Sequence, residues 1–255
     1  MSYDLIELTF KESVATLTLD RPPLNVMNIE MMEQINDALL ELKTHPELKV
    51  LVVRGKGKAF SAGVDIADHT RDKVARMIQV FHRIPETIRM LDVIAVAAVD
   101  GMALGGGFEL AIGCNLVVAS ESARFAVPEI KLGVIPPVAC VVLPRAAPRR
   151  KAMEWILTGE EIAARELEAY GLVNRVFPDD AFEAGLDAFV GELTSKSGPV
   201  LMLAKRAQME SYYAAYEEAL YKAENLYLHD LMALHDAQEG IQAFIEKREP
   251  KWRDA

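Results

Sequence analysis

Two acidic residues in the most apolar part of the chain have the types and spacing for proton chemistry. Glu109 follows the glycines of GMALGGGFEL, and Glu129 follows the strand-like stretch RFAV twenty residues later. Two acids that face one small volume can act as a general base and a general acid. A structural alternative stays open: Glu109 caps its own helix, and Glu129 pairs with Lys131 or Arg124.

Glycine-containing turns follow two apolar stretches of the chain. They lie in KAFSAGVDI (residues 58–66) and ALGGGFEL (residues 103–110). Each glycine weakens a helix or strand by roughly 0.5 to 1 kcal/mol relative to alanine, so three in a row indicate a close approach or an unusual turn. Turns at the carboxyl ends of strands can leave N–H groups pointing into a crevice. Two such turns can supply two donors to one oxygen.

Other chemical motifs are incomplete. VVRGKGKAF does not match the P-loop pattern, and Gly55, Gly57 and Gly63 do not form the dinucleotide fingerprint. Ser61 lies outside any GxSxG motif. The five histidines are scattered without metal-ligand spacing, so the sequence predicts no metal site.

Composition narrows the class of protein. The chain has 255 residues, of which 51% are hydrophobic, and a net charge of −10, which disfavours nucleic acid as a partner. The longest uninterrupted apolar run, Val93–Val99, is too short to span a membrane. Cys114 and Cys140 lie in apolar surroundings and predict buried thiols in a reducing compartment. The acidic start, MSYDLIELTF, is not typical of a secretory signal, so we expect a cytoplasmic protein.

The elements that must position the acids follow from hydrophobic periodicity. The pattern predicts a hairpin ending at Pro22, a helix in NIEMMEQINDALLELKTHP and a buried strand in KVLVVRG. A helix from about Lys73 to Leu91 follows, then the strand VIAVAAVDG, a short helix after the glycines, and the strands LVVAS and RFAVP. This alternation favours an α/β core with right-handed crossovers.

From about Ala146 onward the pattern is nearly all helical. Residues 158–161, TGEE, have the spacing of a capping box for the helix that holds IAARELEAYGL. A later long helix carries one apolar stripe, which closes the domain's own core or also forms a subunit interface. The residues of the stripe are Tyr216, Leu220, Ala223, Tyr227, Leu231 and Leu234.

The ordered set of motifs resembles the enoyl-CoA hydratase/isomerase (crotonase) superfamily over almost the whole chain. The set comprises KAFSAGVDI, GMALGGGFELA, PEIKLG, TGEEIAARELEAYGLVNRVF and FIEKREPKW. The resemblance implies an α/β fold of ββα units forming a spiral, which we place in residues 1–195. It also implies a C-terminal helical region, residues 196–255, for oligomerisation and site closure, and a homotrimer or a dimer of trimers.

The resemblance further implies an acyl-CoA thioester as substrate, with no cofactor beyond the coenzyme A that the substrate carries. The backbone N–H groups of Val64 and Gly106 would form an oxyanion hole. Glu109 and Glu129 would handle water and proton. Such a pair of donors stabilises the charge that develops on the thioester oxygen, and losing one donor typically costs about 2.7 to 4 kcal/mol.

Coenzyme A contacts are carried over from the same resemblance. Lys58, and Lys247 from a neighbouring subunit, match positions near the phosphates or adenine, although solvated surface lysines are the alternative. The remaining expected contacts, along the path of the adenine and pantetheine, are Ala62, Asp65, Ile66, Leu24 and Val26.

One stretch departs from the family. Common hydratases have a glycine-rich segment where this chain has GVIPPVACVVLP, with Pro137, Val138, Ala139 and Cys140 in place of the glycines. The wall near the acyl group should be stiffer and more apolar. This variant resembles hydratases that act on cyclic dienoyl-CoA thioesters in aromatic compound degradation. A straight-chain enoyl-CoA hydratase, a double-bond isomerase and a non-catalytic acyl-CoA-binding protein remain alternatives.

Overall fold

A computed structural model describes residues 3–212 and 214–255. Met1 and Ser2, which begin the stretch used for the localisation prediction, lie outside the described residues, as does Tyr213. No helix in the described ranges is both long enough and apolar enough to cross a bilayer.

The larger of two sheets in the described residues is mostly parallel. Its strands are β1 (Ile6–Lys11), β2 (Val14–Leu19), β3 (Val50–Gly55), β5 (Ile94–Val99), β7 (Leu116–Ser120) and β10 (Arg175–Phe177). They lie in the order β1-β2-β3-β5-β7-β10, and β1 and β2 form the predicted antiparallel hairpin. The other neighbours pair in parallel.

In the sequence, three strands of the smaller sheet each follow a strand of the larger sheet. Its strands are β4 (Ala59–Ser61), β6 (Met102–Leu104), β8 (Arg124–Ala126) and β9 (Ile162–Ala163). The first three pair in parallel, and β9 runs antiparallel to β8. The carboxyl ends of β4, β6 and β8 therefore meet at one edge.

Helices follow these strand pairs. They are α1 (Ile29–Glu41), α2 (Val74–Met90), α3 (Gly106–Gly113), α4 (Pro137–Ala146), α5 (Arg149–Thr158), α6 (Ala164–Ala169), α7 (Phe182–Thr194), α8 (Gly198–Ser211), α9 (Tyr216–Asn225) and α10 (His235–Glu246). The pairs β3–β4, β5–β6 and β7–β8 precede α2, α3 and α4 respectively. In each unit the first strand joins the larger sheet and the second joins the smaller, which confirms the predicted spiral of ββα units.

The larger sheet is buried on both faces because alternate residues of its central strands point to opposite sides. Leu51 and Val53 face the main core, which also holds residues of α1, α2 and α3. Val50 and Val52 face a second cluster that α7 and α8 cover. The predicted division at residue 195 falls between α7 and α8, and it stays a prediction.

The predicted capping box is wrong. Thr158 is the last residue of α5, and Gly159 ends that helix in the left-handed conformation, with φ +62°. Ile162 and Ala163 pair with β8 as a strand, so α6 begins only at Ala164, and no side chain in the described part of the chain caps it. The chain from about Ala146 onward is nearly all helical, as predicted, and only the short strands β9 and β10 interrupt it, because pairing partners distant in sequence overrode the local helical pattern there.

The predicted long helix with one apolar stripe is not a continuous α-helix. After α9, the chain continues as a π-helical turn, Leu226–Asp230, and a 3₁₀ turn, Leu231–Ala233. Leu226 is buried, whereas Tyr216 is 75% exposed and Tyr227 is also exposed. Within this chain, much of the predicted stripe therefore faces outward.

Candidate active site

The two acids are brought together by the smaller sheet. Leu104, at the end of β6, pairs with Ala126, at the end of β8. Glu109 lies in the first turn of α3, just after β6, and Glu129 lies in a short 3₁₀ helix, Pro128–Leu132, just after β8. Adjacent parallel strands thus deliver both carboxyl groups to one edge.

Glu109 is held from across the site. Its side chain is buried, with the residue only 4% exposed, and its Oε1 accepts a hydrogen bond from the Ala139 backbone N–H at 2.9 Å. Ala139 lies in the first turn of α4, where backbone N–H groups have no partner inside the helix. The alternative in which Glu109 caps its own helix is therefore not what the structure shows.

Glu129 lies against the glycine turn. A methyl group placed on Gly105 would lie 2.5 Å from Glu129 Oε1. Gly105 has φ +51° and ψ −126°, a conformation that side-chain-bearing residues rarely adopt. Within the described residues, Glu129 Oε2 is buried without a hydrogen-bond partner, and no ion pair joins Glu129 to Lys131 or Arg124.

Both carboxyl groups favour the protonated form more than an exposed glutamate does. Burial raises the pKa of Glu109 to about 7; the Ala139 N–H opposes the rise and the nearby Glu129 carboxyl adds to it. Burial also raises the pKa of Glu129. Two interacting acids of this kind share their titration, so a proton is available to the pair near neutral pH.

The two predicted backbone donors lie side by side. A methyl group on Gly106 would lie 3.3 Å from the Val64 nitrogen, and one on Gly63 would lie 3.5 Å from the Gly106 nitrogen. Gly106 is the first residue of α3, so its N–H has no partner within the helix. The positive end of the helix dipole adds to its attraction for an anion.

The backbone groups on either side of the Val64 N–H form hydrogen bonds with Met27, and the Val64 N–H itself does not. Gly63 accepts from the Met27 N–H at 2.8 Å, and the Asp65 N–H donates to the Met27 carbonyl at 2.9 Å. Because these two bonds use the groups on either side, the Val64 N–H points away from Met27. No hydrogen bond between described residues uses this N–H, so it is available to a substrate oxygen.

The predicted coenzyme A contacts fall into one connected group and two separate lysines. Ala62 donates its N–H to the Leu24 carbonyl at 2.9 Å. Asp65 pairs with Arg21 at 3.2 Å, and Arg21 also donates to the Val26 carbonyl. Ile66 is 66% exposed and begins a 3₁₀ turn next to Asp65.

The lysines stand apart from that group. Lys58 is exposed just before β4. Lys247 ends α10 with φ +55°, and no hydrogen bond or ion pair between described residues connects it to residues 58–66. Its predicted role at a neighbouring subunit's site stays a prediction.

Sequence reasoning missed the groups that hold the site in place. Asn25 has φ +52° and is buried, and Ser61 is buried beneath the Gly63 turn. The Asn after PPL was a usable signal, because asparagine tolerates the left-handed region better than most residues. The Ala139 donor was also missed, although Pro137 at a helix start is a known signal for such a terminus.

The PPVAC stretch forms the wall opposite the acids. Pro136 and Ala139 are buried, and Pro137 begins α4. Cys140 is only half-buried, which corrects part of the prediction for the two thiols, whereas Cys114 is buried. Burial and the two glutamates raise the pKa of the Cys140 thiol, which indicates that it lies near both acids. In the described residues, no group of three or more His, Cys, Asp or Glu side chains is arranged to hold a metal.

Known proteins whose sequences are similar to this chain are named as enoyl-CoA hydratases. A family model described as Enoyl-CoA hydratase/isomerase matches residues 9–255. The chain is 35% identical over 255 residues to "Probable enoyl-CoA hydratase echA8" of Mycobacterium tuberculosis, covering 99% of both proteins. It is 37% identical over 261 residues to "Probable enoyl-CoA hydratase" of Rhizobium meliloti, again covering 99% of both.

Solved structures show the same likeness in three dimensions. An enoyl-CoA hydratase of Mycobacterium smegmatis superposes with a TM-score of 0.93 at 30% identity, covering 98% of this chain and 99% of that one. An enoyl-CoA hydratase of Bacillus anthracis superposes with a TM-score of 0.93 at 28% identity, covering 99% of this chain and all of that one (100%). The likeness therefore extends over both the spiral and the C-terminal helices.

Proposed function

The chain belongs to the enoyl-CoA hydratase/isomerase family, and from that membership we propose that it is a hydro-lyase that adds water to an α,β-unsaturated acyl-CoA thioester. The observation that carries the proposal is the meeting of two acids, Glu109 buried and Glu129 half-buried, with two adjacent backbone donors at one sheet edge. This arrangement matches what the reaction requires. Negative charge develops on the thioester oxygen, water loses a proton as it attacks the β-carbon, and the α-carbon gains a proton.

The donors act on the thioester oxygen. As water attacks the β-carbon, electron density moves through the α-carbon to that oxygen, which approaches an enolate. The N–H groups of Val64 and Gly106 stabilise the developing charge, and they require no rearrangement because the chain already holds them in place. A methyl group on Gly106 would crowd the Val64 donor, whereas methyl groups on Gly105 and Gly107 would collide with the Glu129 carboxyl group and the Ser61 carbonyl respectively.

The acids act on water and on the α-carbon. One carboxylate of the Glu109–Glu129 pair takes a proton from the attacking water, and the other acid delivers a proton to the α-carbon. The pKa of Glu109, raised to about 7, suits this division, because a carboxyl group that titrates there can both hold and release a proton near neutral pH. The Ala139 N–H orients the Glu109 carboxyl group, while Glu129 Oε2, which has no partner among residues 3–212 and 214–255, is available to water or substrate.

The substrate's coenzyme A would lie along the exposed side of residues 62–66. Backbone groups of Ala62 and Asp65, the exposed Ile66, and the half-buried Leu24 and Val26 would contact the pantetheine and adenine. Lys58 and a neighbouring subunit's Lys247 would approach the phosphates. The coenzyme A travels with the substrate, so the reaction itself calls on no separate cofactor.

For the acyl group, we propose a cyclic dienoyl-CoA, such as cyclohexa-1,5-diene-1-carbonyl-CoA, formed in aromatic compound degradation in the cytoplasm. The support is the apolar start of α4, where Pro137, Val138, Ala139 and Cys140 stand in place of flexible glycines. An apolar wall that begins with proline suits a ring whose conformations are few. Comparing kcat/KM for this substrate with that for crotonyl-CoA tests the choice; preference for crotonyl-CoA would assign a straight-chain hydratase instead.

Two isosteric variants test the two-acid chemistry. We expect Glu109→Gln and Glu129→Gln each to lower kcat by at least about 100-fold, the range of a lost acid or base. Glu121→Gln, at an exposed glutamate that pairs with Arg165, is the matched control and should retain activity. Near-normal hydration by both active-site variants would overturn the mechanism.

The same assays separate the alternatives. Movement of the double bond without water uptake would identify an isomerase. Thioester binding in a thermal-shift assay, without turnover of any substrate, would identify a non-catalytic acyl-CoA-binding protein.

We also propose that the chain assembles into a homotrimer, alone or paired as a hexamer. The support is the set of large apolar side chains that the C-terminal elements leave exposed. They include Tyr216, Leu220, Tyr221, Tyr227, Leu228, Phe244 and Ile245. Light scattering after size-exclusion chromatography measures the mass, and Leu220→Asp with Leu228→Asp should lower it toward that of one chain; a monomeric wild type would overturn the assembly.

A further inference from the structure

We infer that Asn25 and Ser61 are positioning residues that hold the Val64 N–H in the oxyanion hole, an inference that rests on the proposed function. Neither side chain reaches the predicted path of the substrate. Both are buried beneath the turn that carries Val64, with Asn25 1% exposed and Ser61 0% exposed. The two side chains set the direction in which the Val64 N–H points.

Asn25 joins two backbone segments through its side-chain amide. Its Nδ2 donates to the Ala59 carbonyl at 2.8 Å and the Phe60 carbonyl at 3.3 Å, both in β4. Its Oδ1 accepts from the Arg21 N–H at 3.1 Å. The amide therefore anchors the segment after β2 to the strand that leads into the Val64 turn.

Ser61 continues this connection from the strand to the turn. Its hydroxyl donates to the Asn25 carbonyl at 2.7 Å and accepts from the Gly63 N–H at 3.2 Å. One hydroxyl thus joins the backbone of Asn25 to the residue immediately before Val64. Removing it leaves a buried donor and a buried acceptor without their partner.

The result is a turn in which the neighbours of Val64 are all engaged. The N–H groups of Ala62 and Asp65 donate to the Leu24 and Met27 carbonyls, and that of Gly63 donates to Ser61. Gly63 has φ +102°, so its backbone could rotate if its N–H were released. The Met27 N–H bond to the Gly63 carbonyl would then be left to oppose rotation of the peptide between Gly63 and Val64, which would turn the Val64 N–H away from the substrate oxygen.

Ser61→Ala tests the inference. A misplaced donor lowers the rate without removing the binding surface, so we expect kcat to fall at least about 10-fold while the Kd for free coenzyme A stays within about 2-fold. A second readout reports the hole directly: cinnamoyl-CoA, whose absorption moves to longer wavelength when its carbonyl is polarised, should show a smaller shift on binding. Ser120→Ala is the matched control, since Ser120 is also 0% exposed and its hydroxyl has no partner among the described residues.

Asn25→Gly provides an independent variant if Ser61→Ala does not fold. Glycine keeps the left-handed backbone and removes the amide, so the same loss of kcat and of the spectral shift is expected. A wild-type kcat and a wild-type shift in a folded variant would overturn the inference, while loss of activity in the two glutamate variants would leave the proposed function standing. If the wild-type protein binds cinnamoyl-CoA and shifts its absorption but hydrates no thioester, the proposed function fails and the inference about the oxyanion hole stands. If the wild-type protein neither binds cinnamoyl-CoA nor shifts its absorption, both fail.

Discussion

The Ala139 backbone N–H donates to Glu109 Oε1 across 2.9 Å, so the start of α4 holds one of the two acids. The donor belongs to the stretch that departs from the glycine-rich pattern of the family. Pro137 occupies the first position of the helix, where proline fits without loss of a hydrogen bond. The start of α4 therefore does more than line the site: its backbone supplies a hydrogen bond to the acid pair.

Removing that donor should change the titration of the pair. Ala139→Pro deletes the N–H within the first turn, and since this hydrogen bond lowers the pKa of Glu109, the pKa should rise further above about 7. The acidic limb of the kcat/KM profile should then move to higher pH. Pro137→Ala, which leaves the Ala139 N–H in place, is the control and should keep the wild-type profile; identical profiles for all three proteins would contradict the prediction.

Burying Glu109 should cost stability at high pH. Its pKa is raised from 4.5 to about 7 in the folded protein, so the folded state binds a proton more tightly than the unfolded state does. The stability that this proton contributes is fully present below about pH 4.5 and is lost as pH rises to about 7. The interval between the two pKa values corresponds to about 3 kcal/mol.

Glu109→Gln should flatten this part of the pH dependence. Guanidinium unfolding at pH 4 and pH 8 measures it: the free energy of unfolding should fall by about 3 kcal/mol less in the variant than in the wild type. Glu121→Gln, an exposed acid, should follow the wild type. Parallel curves for Glu109→Gln and the wild type would show that the carboxyl group is not buried in solution.

Gly105 should be irreplaceable because of Glu129. A methyl group there would lie 2.5 Å from Glu129 Oε1. The backbone conformation is also unfavourable for alanine and costs about 1 to 3 kcal/mol. We expect Gly105→Ala to lower kcat at least about 100-fold by displacing the carboxyl group. Gly133→Ala is the control: its φ of +75° is also left-handed, but nothing lies within 4 Å of the added methyl group. Equal activity losses in the two variants would point to backbone strain instead of displacement.

Asp236 should hold the C-terminal segment in place. Its buried carboxylate accepts the N–H groups of Arg253 at 2.8 Å and Asp254 at 2.9 Å. Burial alone would raise the pKa of Asp236, but these hydrogen bonds and His235 lower it to about 2. The stability that it contributes is therefore present above about pH 3.8 and lost as pH falls through about 2.

Asp236→Ala should release residues 252–255, because it removes the carboxylate that accepts hydrogen bonds from the Arg253 and Asp254 N–H groups. We expect a destabilisation of about 2 to 3 kcal/mol and faster removal of these residues by carboxypeptidase. Asp230→Ala, at a half-exposed acid, is the control. Unchanged digestion in Asp236→Ala would mean that other contacts hold the segment.

Many local features could be predicted from the sequence. The continuous apolar run of β5 and the alternation in β1 and β2 depend on residues close together in the chain, so periodicity was sufficient. The glycine run and the two acids were visible for the same reason. The failed capping box shows the limit, because Ile162 and Ala163 became a strand only through pairing with β8.

The residue types and the order of the ββα units follow from the sequence, since each unit is specified by neighbours in the chain. How the site is held follows from tertiary contacts. Ala139 meets Glu109 across thirty residues, and Ser61 meets Asn25 across thirty-six. Such contacts depend on which strand ends share an edge, and strand pairing across long separations is a property of the folded chain that no local pattern encodes.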